Sequence, residues 1–296
     1  MHIPVLLKEV LEGLEIQEGD TVVDATLGGG GLPRKICELY GSAVKIIGLD
    51  VDEDAVKRSK VIMDGSGCDN VFVVANFRDI KKVLDEVGHS HVERIVFDLG
   101  LSSFQIDSSG RGFSFLKNEP LEMTFGRNIS VLDVTAEEVV NKWSEDVIRS
   151  IISSYGEERY AGRISKGIVE ARKRSPILTT FDLVKVIEDS VPEGYRRGRI
   201  HPATKTFQAL RIAVNDEMSA LEEGLEGAFE RLSPGGRIAV ITFHSLEDRI
   251  VKRFFIEKEK EMKAERVNKK PIRPTRDEMK NNRRSRSAKL RIIKKK

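Results

Sequence analysis

The first hundred residues alternate short apolar runs with helical patterns, and that rhythm leaves few folds open. Residues 21–25 (TVVDA), 45–49 (KIIGL), 71–75 (VFVVA) and 94–98 (RIVFD) are nearly continuous apolar runs, not alternating ones. A strand of this kind is covered on both faces, which is the condition of a parallel sheet flanked by helices. Helical patterns such as 54–63 lie between the runs. The rhythm then stops. Residues 105–120 are rich in Gly, Ser and Asn and read as a loop, and residues 135–191 read as successive helices. Thr135-Ala-Glu-Glu138 and Thr179/Thr180 before Phe181 are N-cap patterns, and Pro176 and Pro192 punctuate the region. Strand and helix signals return near Ala203, with one long helix expected over 206–232, a stop at Ser233-Pro-Gly-Gly236 and a buried strand over 237–243. The expected fold is α/β: a discontinuous sheet domain over 1–105 and 205–296, interrupted by an all-helical subdomain over 106–204.

The glycine loop lies between the first strand and the first covering helix. It reads Asp24-Ala-Thr-Leu-Gly28-Gly-Gly30-Gly31-Leu-Pro33, with Pro33 expected at a first helical position. Glycines let backbone approach a ligand closely, and a helix N-terminus favours polar or anionic groups. Asp50 ends the second strand, where a carboxylate can accept hydrogen bonds from a ribose diol. Two cofactor types fit. A nicotinamide dinucleotide would want G-x-G-x-x-G, but the third glycine position holds Pro33. S-adenosylmethionine (SAM) carries no pyrophosphate and needs only an open loop for its amino-acid part. The spacing from Asp24 through Gly28 to Gly30 resembles the loop of class I methyltransferases.

Asp98-Leu-Gly-Leu-Ser-Ser103 follows the fourth strand. Ligands of open α/β sheets sit beyond the carboxyl ends of strands at the point where strand order reverses, and strands one and four flank that point. Asp98 is therefore expected in the same crevice as the glycine loop. An acceptor beside the N–H of a conjugated exocyclic amine helps localise the nitrogen lone pair for attack, and positioning supplies much of the remaining rate.

At this point the ordered motifs resemble one family over nearly the whole chain. They include His2-Ile-Pro-Val-Leu-Leu7, Asp24–Gly31, Gly48-Leu-Asp50, Asn76-Phe77, the run from Asp98 to Gln105, Arg111-Gly-Phe-Ser-Phe115, Tyr155-Gly-Glu-Glu158, the run from His201 to Ile212, Phe243-His-Ser-Leu-Glu-Asp-Arg249 and Ser287-Ala-Lys-Leu-Arg291. The chain resembles the bacterial small-subunit ribosomal RNA cytosine-N4 methyltransferases (MraW/RsmH type). The resemblance implies a Rossmann-like class I methyltransferase fold with an inserted helical domain. It also implies SAM as cofactor, and as substrate the exocyclic N4 of one cytidine in the decoding region of small-subunit rRNA, bare or in a ribosomal particle. Carried over by position, the SAM contacts are Gly30, Gly31, Leu32, Asp50, Phe77, Asp98 and Gln105, with Gly28 from the loop itself. Leu32 stands where the family usually has His, and Leu121-Glu-Met-Thr-Phe125 where it usually reads Leu-Asp-Met-Arg-Met.

The substrate side is expected to draw on basic residues. Net charge is only +3, yet residues 266–296 hold 14 basic residues against Asp277 and Glu278, so the remainder is acidic. This segment reads as a basic C-terminal tail whose last residues add an edge strand and bring Arg284 and Arg286 beside the crevice. Arg196-Arg197-Gly-Arg199, with no acidic residue adjacent, reads as a phosphate contact. Arg111, Lys205 and His244 complete the expected RNA contacts. The alternative reading of the His244–Arg249 stretch is helix capping by Ser245. Phe104, Phe113 and Phe115 are candidates for stacking on an unpaired base, and Trp143 for core packing. His89 and His91 form one short pair without Cys partners, so no metal site is expected. Cys37 and Cys68 are expected to be reduced. No signal peptide or run of about 18 apolar residues is present, which points to a cytoplasmic protein without membrane attachment. Two rivals remain at this stage. One is a nicotinamide-dependent oxidoreductase on the same fold. The other is a non-catalytic RNA-binding assembly factor, for which the glycine loop, Asp50 and Asp98 have no use.

Overall fold

The computed structural model describes residues 4–126 and 134–296; His2 and Ile3 of the first matching motif lie outside them. The chain divides into two compact units, Met1–Gly100 with Met218–Lys296, and Leu101–Glu217.

The first unit is built on a seven-stranded sheet. In chain order the strands are β1 Thr21–Asp24, β2 Lys45–Asp50, β3 Asp69–Val74, β4 Val92–Asp98, β5 Leu232–Thr242, β6 Ala264–Arg266 and β7 Lys289–Lys295. Their order across the sheet is β3-β2-β1-β4-β5-β7-β6. The first five run parallel, and β7 is antiparallel to both β5 and β6. This is the expected α/β class I methyltransferase arrangement, Rossmann-like in its parallel half.

Both faces of the sheet are covered, as the unbroken apolar runs require. Successive residues of each strand enter opposite cores. Val23, Ile47, Ile95, Phe97 and Val240 pack with Ile80, Leu84, Leu225 and Phe255 on one side. Val22, Ile46, Val96 and Ile241 pack with Val10, Leu14, Ile36 and Val56 on the other. The register places Asp24 opposite Gly48 of β2 and Val96 of β4. Asp50 and Asp98 each lie two residues beyond those partners, so three strands end in an aspartate at the same edge of the sheet. Among the described residues no helix is long and apolar enough to cross a membrane.

Several expectations change here. The C-terminal basic segment is no tail. Its strand β7 is an inner one, hydrogen-bonded on both sides, with Leu290, Ile292 and Ile293 essentially inaccessible. The edge position falls to β6. Helix Gly31–Tyr40 begins two residues before Pro33, so the proline sits in the first turn at its third position, where a missing N–H still costs no intrahelical bond. Strand β5 runs through Ser233-Pro-Gly-Gly236, with its pairing to β4 shifting register there. Cys37 and Cys68 are not reduced: they form a disulfide, with Cα atoms 5.9 Å apart, between helix Gly31–Tyr40 and the loop before β3. The absence of a Cys-x-x-Cys pair argues against a metal or redox motif but says nothing about two cysteines brought together by the fold.

The second unit packs helices Ala136–Lys142, Glu145–Gly156, Ala161–Arg172, Thr180–Ser190 and Ala203–Asn215 around Leu121, Met123, Ile148, Ile152, Ile164, Leu183 and Leu210. Thr135 and Thr179 are N-caps as their sequence suggests; Thr179 closes a capping box with Asp182. Trp143 packs against this core. The single long helix expected over 206–232 is two, Ala203–Asn215 and Glu217–Arg231, separated at Asp216, whose φ is 46°. The first of them belongs to this unit. It approaches helix Glu145–Gly156 so closely that a Cβ on Gly156 would lie 2.6 Å from the Lys205 carbonyl oxygen.

The aromatics of the Gly/Ser loop are occupied within the same unit. Phe113 is buried and stacks on Phe125 at 5.8 Å, and Phe115 lies between His201 and Phe207. Arg111 is also interior. It is 3% exposed and donates from Nη1 to the carbonyls of Thr124 (3.0 Å) and Phe125 (2.5 Å). The expected RNA contact is thus corrected: this guanidinium pins the 111–125 loop. Arg111→Ala leaves two carbonyls without their charged donor and should lower unfolding stability by about 2–3 kcal/mol. Urea denaturation reads this directly. An unchanged midpoint together with weakened RNA binding would return Arg111 to the substrate side.

Candidate active site

The carboxyl ends of β1, β2 and β4 present Asp24, Asp50 and Asp98, and the loop after β1 binds them together. The Thr26 N–H donates to Asp24 Oδ1 at 3.1 Å, and Thr26 Oγ1 accepts from the Asp98 N–H at 2.6 Å. The Gly28 N–H donates to Asp50 Oδ2 at 2.7 Å, and the Asp52 N–H to Asp50 Oδ1 at 2.8 Å. Asp50 therefore holds the glycine loop with one oxygen and the start of helix Glu53–Met63 with the other. Each oxygen keeps a further lone pair for a ligand hydroxyl.

The loop itself needs glycine. Gly28 has φ 52° and Gly30 φ 70°, the left-handed region in which L side chains are strained. A Cβ on Gly30 would lie 2.8 Å from Ser59 Oγ, and one on Gly31 2.7 Å from the Pro4 ring. Gly29 at the tip faces open space. The crest of the loop is bare backbone at the N-terminal end of helix Gly31–Tyr40.

Burial dominates the electrostatics. Desolvation pushes Asp24 up to about 7, opposed by its Thr26 hydrogen bond and reinforced by the charge of Asp50. Desolvation pushes Asp50 up to about 6, against the Asp52 and Gly28 hydrogen bonds that favour its ionised form. Asp98 rises furthest, to about 8, through desolvation and then the like charges of Asp24 and Glu247. Its Oδ1 is buried and accepts no hydrogen bond. Native proteins rarely leave a buried carboxylate oxygen without a donor, and strongly perturbed groups gather at functional sites. The arrangement is a concentration of suppressed negative charge beside bare backbone. It fits a ligand that carries positive charge and a hydroxylated ring, and SAM is such a ligand: the glycine loop suits its amino-acid part, Asp50 its ribose hydroxyls and the carboxylate group its cationic centres.

Other expected contacts are placed differently. Leu32 is buried in the core under the sheet, so only its backbone can meet a cofactor. Phe77 lies edge-on to Phe97 at 5.6 Å, and helix Glu217–Arg231 passes it at Gly224, where a Cβ would be 2.7 Å from its ring. Gln105 belongs to the second unit, where its side chain closes a capping box with Ser102. His244, not Ser245, is the N-cap of helix Ser245–Lys260. Its Nδ1 accepts from the Glu247 N–H, while Glu247 Oε2 accepts from the Phe243 and His244 N–H groups.

Arg197 pairs with Glu193 one turn earlier, an i,i+4 partner that inspection of adjacent residues overlooks. Lys205 donates to the Glu157 carbonyl. Arg284 and Arg286 lie exposed on a short 3-10 turn before β7. Sequence reading missed Thr26, which joins Asp24 to Asp98. The available signal was a hydroxyl two residues past a strand-end aspartate, the spacing of a side chain that turns back on its own loop.

A family model described as the MraW methylase family matches residues 1–296. The chain is 44% identical to the ribosomal RNA small subunit methyltransferase H of Symbiobacterium thermophilum, over 99% of this chain and 96% of that protein. It is 41% identical to the protein of the same name from Clostridium botulinum, over 99% and 98%. A solved putative methyltransferase from Streptococcus mutans, in complex with SAH, aligns over the full length of both chains at 11% identity and a TM-score of 0.48. The full-length family match and the two relatives carry the assignment, and the loop, the strand-end aspartates and the sheet order agree with it: the chain belongs to the MraW methylase family.

Proposed function

We propose that this protein transfers a methyl group from SAM to the exocyclic N4 of a cytidine in the decoding region of small-subunit rRNA. The observation that carries the reading is the unpartnered Oδ1 of Asp98 beside the glycine loop, in a chain whose relatives are named small-subunit rRNA methyltransferases. SAM supplies an electrophilic methyl on a sulfonium. Gly28–Gly31 cradle its methionine part through backbone, and Asp50 accepts from the ribose hydroxyls. Asp98 Oδ1 accepts an N–H of the incoming amine. That hydrogen bond opposes delocalisation of the nitrogen lone pair into the ring, so the lone pair is available when the N–C bond forms and the S–C electrons return to sulfur. The surplus proton leaves the nitrogen for water. A base in a duplex cannot reach such an edge, so the target cytidine must be unstacked or single-stranded.

The perturbed carboxylates also argue against the nicotinamide alternative. A dinucleotide brings a pyrophosphate dianion to the loop, which would force Asp24 and Asp98 to stay protonated, whereas a cationic ligand stabilises their ionised forms. The test incubates labelled SAM with unmodified small-subunit particles and with bare rRNA, then maps the modified nucleotide. N4-methylcytidine at one position is the expected product. Tight NAD binding without SAM binding in calorimetry, or label on another atom, would overturn the reading.

A further inference from the structure

The helical unit carries a charged cluster that none of the site residues above uses. Arg159 is exposed, and its guanidinium carbon lies 4.7 Å from the ring centre of Tyr160 and 5.0 Å from that of Tyr195. The two rings meet edge to face at 4.9 Å. Arg163, one turn further along and also exposed, lies 5.7 Å from the Tyr160 ring. Among the described residues neither guanidinium has a carboxylate within ion-pair distance.

One carboxylate next to Arg159 in sequence could have served. Glu158 is 3% exposed, yet its two oxygens go elsewhere: Oε1 accepts from the Tyr160 N–H at 2.8 Å and Oε2 from the Tyr195 hydroxyl at 2.5 Å. The buried acid fixes both ring-bearing residues and leaves the cation over them unneutralised. Tyr195 in turn sits in helix Glu193–Arg196, which leads into the basic turn Arg196–Arg199. A surface meant only to be stable would pair these arginines, because an unpaired cation gains less from its surroundings than a paired one.

We propose that Arg159 and Arg163, held over Tyr160 and Tyr195, form a binding surface for a single-stranded RNA backbone. The inference rests on the rRNA substrate argued above and extends it to a second anchoring point outside the reacting site. A planar guanidinium presents a fork of donors that matches two phosphate oxygens, and flanking aromatic rings offer faces for an unpaired base. The role of Glu158 is to position: with Tyr195 fixed by its hydroxyl, Arg159 is confined to one placement before RNA arrives.

The experiment measures equilibrium binding of the full-length protein to a bare small-subunit rRNA fragment over a range of salt, for the wild type, the Arg159→Gln/Arg163→Gln double variant, Arg159→Lys and Tyr195→Phe. The double variant should bind about tenfold more weakly, and its slope of log affinity against log salt should fall by about 1.4, since each lost phosphate contact on a single strand removes about 0.7. Arg159→Lys should keep the slope and lose part of the affinity. Tyr195→Phe keeps the ring and should weaken binding without changing the slope. SAM affinity and melting temperature serve as controls for folding and should hold.

An unchanged slope and affinity in the double variant overturns the proposal, as does failure of the wild type to bind the fragment. An effect seen only with assembled particles would assign the surface to a ribosomal protein instead. The two readings separate cleanly. A wild type that binds RNA with these salt effects but transfers no methyl defeats the catalytic reading alone; one that methylates rRNA while the double variant keeps its KM defeats this surface alone.

Discussion

Asp98→Ala should reduce methyl transfer by about 10³-fold, within the 10²–10⁴ range that a positioned acid–base or hydrogen-bonding group supplies. The loss should fall on the chemical step. In the proposed reaction Asp98 meets the reacting edge with its unpartnered oxygen, whereas the glycine loop and Asp50, joined by the Gly28–Asp50 hydrogen bond, are assigned to the cofactor. Single-turnover assays with labelled SAM separate the two. Asp98→Asn is the sharper variant, because it keeps a carbonyl oxygen in place and removes only the charge. If charge is what localises the lone pair, it should lie closer to the alanine variant than to wild type. Near-normal turnover in both would remove Asp98 from the mechanism.

The same substitution should change stability in the opposite direction. The folded pKa of Asp98 is raised to about 8, above the ordinary carboxylate value expected in the unfolded chain. The folded state thus holds a proton that the unfolded state loses, and stability falls as pH rises from about 4 through about 8. Asp98→Asn removes that penalty. It should melt above wild type at pH 8 and show no such advantage at pH 4. A residue that costs stability where the enzyme works is retained for what it does there.

The parallel half of the fold was legible because its physics is local. Four unbroken apolar runs required a sheet covered on both faces, and the cores around Val22 and Val23 bear that out. The glycine loop and its aspartates were legible because strand ends point to one edge. The last strand was only half legible. Residues 289–295 (KLRIIKK) carry four charges in seven positions, a composition that suits an exposed edge, yet β7 lies between β5 and β6. Lys289 and Arg291 pair with Asp248 at 2.9 and 2.8 Å, and Lys295 donates to the carbonyls of Phe229 and Leu232 at the end of helix Glu217–Arg231. These three charges are answered by groups more than 40 positions away, so a window of sequence cannot find the partners, while Lys294 stays exposed. The interior role of Arg111 escaped for a related reason. Its acceptors are backbone carbonyls, which no residue pattern advertises.

SAM binding should strengthen as pH rises, and it should release protons. Asp50, Asp24 and Asp98 titrate at about 6, 7 and 8, so near neutral pH the free site holds much of its charge suppressed. A cation among them favours the ionised forms and draws all three values down. At low pH the ligand must displace protons to bind, whereas at high pH it finds the carboxylates already ionised. If two of the groups move down by about one unit each, affinity should rise roughly 10- to 20-fold between about pH 5.5 and 7.5. The useful range is about pH 5.5 to 7.5, below the ordinary titration of an α-amino group at about 7.7–8.0, so that the ligand's own charge stays constant. Calorimetry in buffers of different ionisation enthalpy counts the protons, and about 0.5 to 1 should leave per SAM at about pH 6.5. The thioether product lacks the sulfonium charge and should release fewer. Asp98→Asn should flatten the upper part of the dependence and leave the lower part, which belongs to Asp50 and Asp24. An affinity that is flat or falls over this range would mean that the three carboxylates are neutralised by something other than the cofactor, and the electrostatic argument for SAM in this site would fail with it.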